Sequence, residues 1–207
     1  MIKSIRKEAS TTFCRRWMTR ALAGLLILLS ACAKSTPIER TFSMQELLVD
    51  ASVFPEGWEI SSGPRFAEWD HFSSSYGFWL VGFQTDSDVP RHTAMLYVYQ
   101  YHNVKIAQQV YEKIVSPEHR GEKLPDNICG GLSATQSLLT CETLTMYESG
   151  YKQMNCTWSG LYDEYIVDFS TWLVPERMSL EDVQDIICAI DAHVSPYFEP
   201  TLENGSE

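Results

Sequence analysis

Residues 93–115 read TAMLYVYQYHNVKIAQQVYEKIV and place a strand, a helix cap and a helix in direct succession. The segment 93–102 is rich in Tyr, Val and Leu and predicts a buried strand. Asn103 can cap a helix, and apolar residues recur at helical spacing from Ile106 to Val115. The stretch therefore predicts a strand followed by an amphipathic helix over 104–115.

Similar patterns lie on both sides of this unit. Upstream, residues 76–84 form a nearly continuous apolar and aromatic run that predicts a second buried strand, and residues 58–62 predict a shorter one. Downstream, residues 141–147, 151–159 and 164–173 predict three strands separated by short turns. In the last of them apolar and polar residues alternate, so one of its faces is expected to be mostly solvated.

Two capping boxes predict further helices. Ser179 with Asp182 precedes a clear apolar stripe that ends before Pro196, and Ser43 with Glu46 precedes a short helix. Residues 116–131 are expected to form a surface loop. The order of elements predicts an α+β fold, an antiparallel sheet with helices packed on one face, in a single domain. Strand followed by helix occurs twice, at 93–115 and 164–194, which suggests a pseudo-repeat.

The amino-terminal segment has the features of an export leader. Arg15, Arg16 and Arg20 precede a run of apolar residues that is too short to span a bilayer, and the run closes with Leu29-Ser30-Ala31-Cys32. This ending resembles the lipobox of bacterial lipoproteins. The resemblance implies a signal peptide over residues 1–31, a diacylglycerol and usually a further acyl chain such as palmitate on Cys32, and a membrane-anchored, extracytoplasmic protein. Residues 14–20 also resemble a twin-arginine export signal, so the export route stays open.

The expected organisation of the chain follows from this leader. Residues 32–41 would be the lipidated cysteine and a tether, residues 42–196 the α+β domain, and residues 197–207 a flexible acidic tail. The leader holds six of the 16 basic residues and one of the 27 acidic residues, so residues 32–207 keep 10 basic and 26 acidic residues. Such an excess of negative charge argues against a nucleic-acid partner. It also assigns membrane attachment to the acyl chains.

Four cysteines remain after the leader and the lipidated Cys32 are set aside: Cys129, Cys141, Cys156 and Cys188. An even number in an oxidising compartment predicts two disulfides, with three pairings available. The short separation of Cys129 from Cys141 favours a local bond between them and a second bond from Cys156 to Cys188. No metal site is expected, because no pair of cysteines has zinc-ligand spacing.

Neither catalytic nor cofactor-binding residues stand out in the sequence. The five histidines are scattered, a Gly-x-Ser-x-Gly elbow is absent, and no pair of carboxylates is singled out. The helix ending Ala189-Ile190-Asp191-Ala192 is similar to the last helix of extracytoplasmic α+β domains in some bacterial lipoproteins and kinase sensor modules. That resemblance carries no catalytic residue onto this chain.

One segment has the composition of a binding surface. Residues 65–75 carry aromatic and polar side chains without strand or helix periodicity, and the candidate ligand-binding residues there are Phe66, Trp69, His71 and Phe72. Aromatic faces stack on sugar rings, so a glycan or a protein segment is the expected ligand. The sequence therefore predicts a lipid-anchored, non-enzymatic binding or envelope-associated protein. The alternative is an envelope hydrolase acting on glycan or peptide.

Overall fold

A computed structural model describes residues 38–67, 75–85, 93–116, 122–123, 128–145, 152–174 and 177–198 of the chain. Its centre is a seven-stranded sheet in which every neighbouring pair is antiparallel. The strands are β1 (Trp58–Ala67), β2 (Ser75–Thr85), β3 (Thr93–Tyr101), β4 (Glu122–Lys123), β5 (Gln136–Thr145), β6 (Lys152–Tyr162) and β7 (Tyr165–Leu173). Their spatial order is β1-β2-β3-β7-β6-β5-β4, so two meanders meet at the central pair β3 and β7.

The described residues also form two α-helices and several 3-10 helices. Helix α1 (Val104–Ile114) follows β3, and helix α2 (Leu180–Val194) follows β7. The 3-10 helices are Met44–Leu47, Ala51–Val53, Ile128–Gly130 and Ser195–Tyr197. The capping residues act as predicted: the Asn103 side chain accepts a hydrogen bond from the Ile106 amide, and both capping boxes form.

Helix α2 and the two amino-terminal 3-10 helices cover one face of the sheet, which we call the closed face. Apolar residues of α2 such as Val183, Ile187 and Ile190 are fully buried against it. The sheet contributes the inward residues of β2, β3, β6 and β7, namely Val81, Phe83, Ala94, Leu96, Val98, Cys156, Trp158, Val167 and Phe169. Here the α2 stripe and the alternating strand residues form the main hydrophobic core.

Helix α1 packs on the opposite face, which we call the open face. Its buried residues Ala107, Val110 and Tyr111 contact Tyr101, Leu161 and Ile166 in a second, smaller cluster. The Tyr111 hydroxyl donates a hydrogen bond to the backbone oxygen of Ser159 over 3.3 Å. Because α1 has only eleven residues, it covers part of this face, and no other helix of the described residues covers the part formed by β1, β2 and β3.

The predicted α+β class and antiparallel sheet are confirmed. Most of the helical structure lies on one face, as expected, and α1 is the exception. The expectation that one face of β7 is mostly solvated is corrected at Ile166, which α1 buries completely. The two strand-helix units also differ from a true repeat. If β3 with α1 and β7 with α2 were repeats, a two-fold axis between the antiparallel strands β3 and β7 would relate them and place both helices on the same face. Instead, α1 and α2 lie on opposite faces.

Both disulfides form, but the predicted pairing is wrong. Cys141 is bonded to Cys156, and Cys129 is bonded to Cys188. Cys141 and Cys156 are directly opposite in the register of β5 and β6, with 4.1 Å between their Cα atoms. The sequence suggested a local loop from Cys129 to Cys141. The bond instead joins Cys141 to the opposite residue of β6, because Cys141 lies within β5. Since β5 starts at Gln136, Cys129 lies outside it, in the 3-10 turn beside α2.

The folded domain extends slightly beyond the limits expected from the sequence. Arg40, placed in the expected tether, forms a forked ion pair with Glu164 and a second contact with Asp163. Phe198, placed in the expected tail, packs edge-on against Phe42 with 5.4 Å between ring centroids. Both ends of the domain therefore lie beside the turn that joins β6 and β7. None of the described helices combines the length and apolar character that crossing a membrane would need.

Candidate functional site

The uncovered part of the open face contains a groove of about 450 Å³ across β1, β2 and β3. Strand register shows how it is built. Arg65, Leu80 and Tyr97 lie opposite one another on the three strands and form one row, and Ala67, Phe78 and Tyr99 form the next. Residues paired across antiparallel strands share a face, so both rows point to the same side. These six residues together with Phe66 line the groove.

The aromatic rings of the groove form a contiguous cluster. The rings of Phe78 and Tyr99 have centroids 5.2 Å apart, and those of Tyr97 and Tyr99 are 6.0 Å apart with planes only 15° from parallel. Phe78 and Leu80 are nearly buried and form the floor, whereas Tyr97 and Tyr99 are half-buried. A concave, largely apolar site with a few polar groups is the usual form of a small-ligand site.

The alternation of residues in β3 creates this surface. Ala94, Leu96 and Val98 point to the closed face and are buried, while Tyr97 and Tyr99 between them point to the open face. The sequence predicts β3 only as a buried strand and does not distinguish its aliphatic face from its tyrosine face. The signal that could have found the groove is therefore the separation of aliphatic residues from tyrosines at period two.

Arg65 is the cationic residue of the groove. It lies near the end of β1, an edge strand whose residues from Glu59 to Phe66 are exposed. Within the part of the chain that the structure describes, no ion pair is formed by its guanidinium, in contrast to Arg40. Asp168 on β7 is paired with Tyr97, so the part of the row that runs from β1 to β7 has a cation at one end and a carboxylate at the other.

Of the predicted ligand-binding residues, only Phe66 falls within the described structure. It belongs to β1, not to a loop, and its ring is 44% exposed. The ring lies directly against Gly77, where a Cβ atom would come within 2.4 Å of Phe66 Cζ. A side chain at position 77 would thus displace the ring. Trp69, His71 and Phe72 lie outside the described residues, as do the leader and Cys32.

The strand β1 was predicted to end at residue 62 and instead continues to Ala67. Its central residues are exposed on both faces, which removes the alternation of apolar and polar residues that marks a half-buried strand. Two register shifts and Pro64 further interrupt the pattern. Arg65 and Phe66 therefore belong to the sheet.

A second cavity, of about 320 Å³, lies on the closed face between the 3-10 helices and β1. Three of its polar lining residues form hydrogen bonds within the protein. His193 Nε2 donates a hydrogen bond to the Glu46 carbonyl oxygen over 2.8 Å, and Asp50 accepts from the backbone and hydroxyl of Ser52. The bonds from Ser52 lower the pKa of Asp50. These side chains therefore serve the protein's own structure at this place.

The buried carboxylates have structural partners. Arg40 Nε donates to Glu164 over 2.8 Å, and the ion pair raises the pKa of Arg40 further above its usual value. Burial and the nearby Glu164 charge raise the pKa of Tyr165 to about 12, although Arg40 opposes the shift. The cluster joins the start of the domain to the turn between β6 and β7.

Asp191 has a comparable structural role on helix α2. Its carboxylate accepts hydrogen bonds from the Ser133 and Ala134 amides and from the Tyr162 hydroxyl, the last over 2.6 Å. Burial and this bond raise the pKa of Tyr162 strongly, so the hydroxyl stays a donor. The Ala-Ile-Asp-Ala segment of the sequence therefore ties α2 to the segment before β5.

The described residues contain no group of three or more histidine, cysteine or acidic side chains arranged to hold a metal ion. Comparison of the chain with protein-family models gives no match, and a search of curated proteins likewise finds none. The site must therefore be interpreted from its own geometry.

Proposed function

We propose that this protein is a lipid-anchored, extracytoplasmic binding domain and that the groove on the open face binds a saccharide without cleaving it. The observation that carries the proposal is the cluster of Phe78, Tyr97 and Tyr99 in an open groove on a rigid sheet.

A saccharide suits this groove better than a wholly apolar ligand. The electron-rich faces of aromatic rings attract the C–H groups of a sugar ring, and tyrosine hydroxyls add hydrogen-bonding groups at the rim. Because Phe78 and Leu80 are buried on β2 between its two neighbouring strands, the platform is preorganised and little conformational entropy is lost on binding. The excess of acidic residues in the chain disfavours polyanions such as nucleic acid.

The extracytoplasmic location is supported by the two disulfides, which form in oxidising compartments. Attachment through Cys32 rests on the lipobox-like ending of the leader. Only seven residues separate Cys32 from Arg40, which the ion pair holds to the sheet, so the connection reaches at most about 30 Å. The end of the sheet that carries Arg40 would then face the membrane.

Sedimentation with insoluble polysaccharide tests the groove. The purified domain should sediment with chitin or with peptide-free glycan strands of the bacterial cell wall, and the double variant Tyr97→Ala, Tyr99→Ala should lose that sedimentation. Leu144→Ala is the matched control, because Leu144 is an exposed apolar residue on β5, away from the groove. Failure of the wild-type domain to sediment with either polymer, or equal sedimentation of the double variant, would overturn the proposal.

Metabolic labelling tests the anchor separately. Cells expressing the full chain should incorporate radioactive palmitate into this protein, and Cys32→Ala should abolish the label and leave an unprocessed precursor. Cys14→Ala serves as the control, because Cys14 would be removed with the leader. Continued labelling of Cys32→Ala would contradict the assignment of the lipid to that residue.

A further inference from the structure

We infer that the groove selects an acidic saccharide, a sugar ring that carries a carboxylate on a short arm, and that Arg65 binds the carboxylate. The inference rests on the proposed function, since it specifies the ligand of the same groove. It depends on the position of one cation beside the aromatic platform.

The register places Arg65 at a suitable distance from the rings. Arg65 and Tyr97 occupy the same row on β1 and β3, with Leu80 between them. Two interstrand spacings separate their Cα atoms by about 10 Å. A sugar ring stacked on Tyr97 or Tyr99 would therefore bring a substituent on its outer edge within reach of the long Arg65 side chain.

The charges around the groove determine how an acidic ligand would be oriented in it. Arg65 makes no ion pair within the described part of the chain, and its planar guanidinium can donate two hydrogen bonds to one carboxylate. Asp168 lies at the opposite end of the row and would repel an anion there. The carboxylate of the ligand is thus expected to point toward the edge strand β1.

Local attraction can prevail over the acidic character of the whole domain. Charges more than about 8–10 Å away are largely screened at physiological ionic strength, whereas a direct contact with Arg65 is much less affected. Direct contact with Arg65 would consequently favour an acidic ligand over a neutral one, even though the protein as a whole is strongly negative.

Two soluble disaccharides test this selectivity. N,N′-diacetylchitobiose, called chitobiose below, and N-acetylglucosaminyl-N-acetylmuramic acid share both N-acetylated sugar rings, and the second adds one lactyl carboxylate. Calorimetric titration of the wild-type domain should give about tenfold tighter binding of the acidic disaccharide, as expected for one charge-assisted contact. Arg65→Gln should abolish this preference, so that the two disaccharides bind the variant with equal affinity.

The variant is a fair test because Arg65 is exposed on an edge strand, so its replacement should leave thermal unfolding unchanged. Arg65→Lys should recover part of the preference, since lysine keeps the charge but not the two parallel donors. Equal wild-type affinity for the two disaccharides, or a preference that survives in Arg65→Gln, would overturn the acidic selectivity and leave saccharide binding standing. Binding of neither disaccharide, in a domain that also fails to sediment with polysaccharide, would remove the proposed function as well.

Discussion

The two faces of the sheet differ in what covers them. On the closed face, α2 and the 3-10 helices bury a continuous core, and both disulfides lie there. On the open face, α1 covers the end near Tyr101 and Ile166 and leaves an aromatic groove over β1, β2 and β3. The same strands supply both surfaces, because neighbouring residues point to opposite sides.

Because of this difference, one residue of a strand can contribute to stability while its neighbour contributes to the proposed ligand-binding groove. Leu96 and Tyr97 are neighbours on β3, yet Leu96 is fully buried in the core and Tyr97 lines the groove. A substitution can therefore be directed at one face while the other is kept.

Loss of the disulfide between Cys129 and Cys188 should have the largest effect on the closed face. It closes a segment of 59 residues, and the chain-entropy estimate for such a loop is about 4 kcal/mol of unfolding free energy. The double variant Cys129→Ser, Cys188→Ser is the test, measured by chemical denaturation. The corresponding pair of changes at Cys141 and Cys156 closes only 15 residues and should cost about 3 kcal/mol. An order reversed between the two double variants would contradict this account.

Arg40→Ala should destabilise the domain by about 3 to 4 kcal/mol. The change leaves the fully buried Glu164 carboxylate without its cation, and an unpaired buried charge is costly. Equilibrium unfolding in urea measures the loss. Arg40→Lys keeps the charge and loses the forked geometry, so a smaller loss is expected there. Unchanged stability in Arg40→Ala would show that the ion pair does not hold the start of the domain.

Leu96→Ala should cost about 3 kcal/mol because it opens a cavity in the main core. Its neighbour Tyr97→Ala should cost about 1 kcal/mol or less, since the ring is half-buried in an open groove. Thermal unfolding of the two variants side by side gives the comparison. If Tyr97→Ala proved as destabilising as Leu96→Ala, the open face would be part of the core.

Alkaline titration should detect two late tyrosines near the closed face. Tyr162 and Tyr165 have raised pKa values, that of Tyr165 about 12 against an ordinary value of 10.0. Because the folded state favours their protonated forms, this contribution to stability is complete below pH 10, and the part due to Tyr165 is lost as the pH rises from 10 through 12. Tyrosinate absorbance at 295 nm should show that both residues ionise at higher pH than an ordinary tyrosine. Tyr162→Phe and Tyr165→Phe should each remove one of them.

The sequence predicted the elements whose patterns are local. Both strand-helix units, the Asn103 cap and the two capping boxes were recognisable, because helical stripes and caps depend on residues a few positions apart. The face on which α1 packs was not predictable in this way. A strand with apolar residues on both sides, such as β3, does not indicate which helix covers which side.

The groove itself depends on long-range register. Arg65, Leu80 and Tyr97 are adjacent only because three strands align, and two bulges set that alignment for β1. The prediction of the disulfide pairing was wrong for the same reason, since the register of β5 and β6 determines which cysteines lie opposite each other. Phe66 is exposed, as the sequence indicated, but it lies in a strand and not in a loop, and its contact with a ligand stays a prediction.

A titration followed by nuclear magnetic resonance tests the central claim most directly. The probe is N-acetylglucosaminyl-N-acetylmuramic acid, added to the isotope-labelled domain while backbone amide shifts are recorded. If the ligand binds in the groove, the chemical-shift changes should be concentrated at Arg65, Phe78, Tyr97 and Tyr99. The amide shifts of Trp158 and Cys156 on the closed face should stay unchanged. Shifts concentrated instead around His193 and Asp50, in the cavity of the closed face, would contradict it.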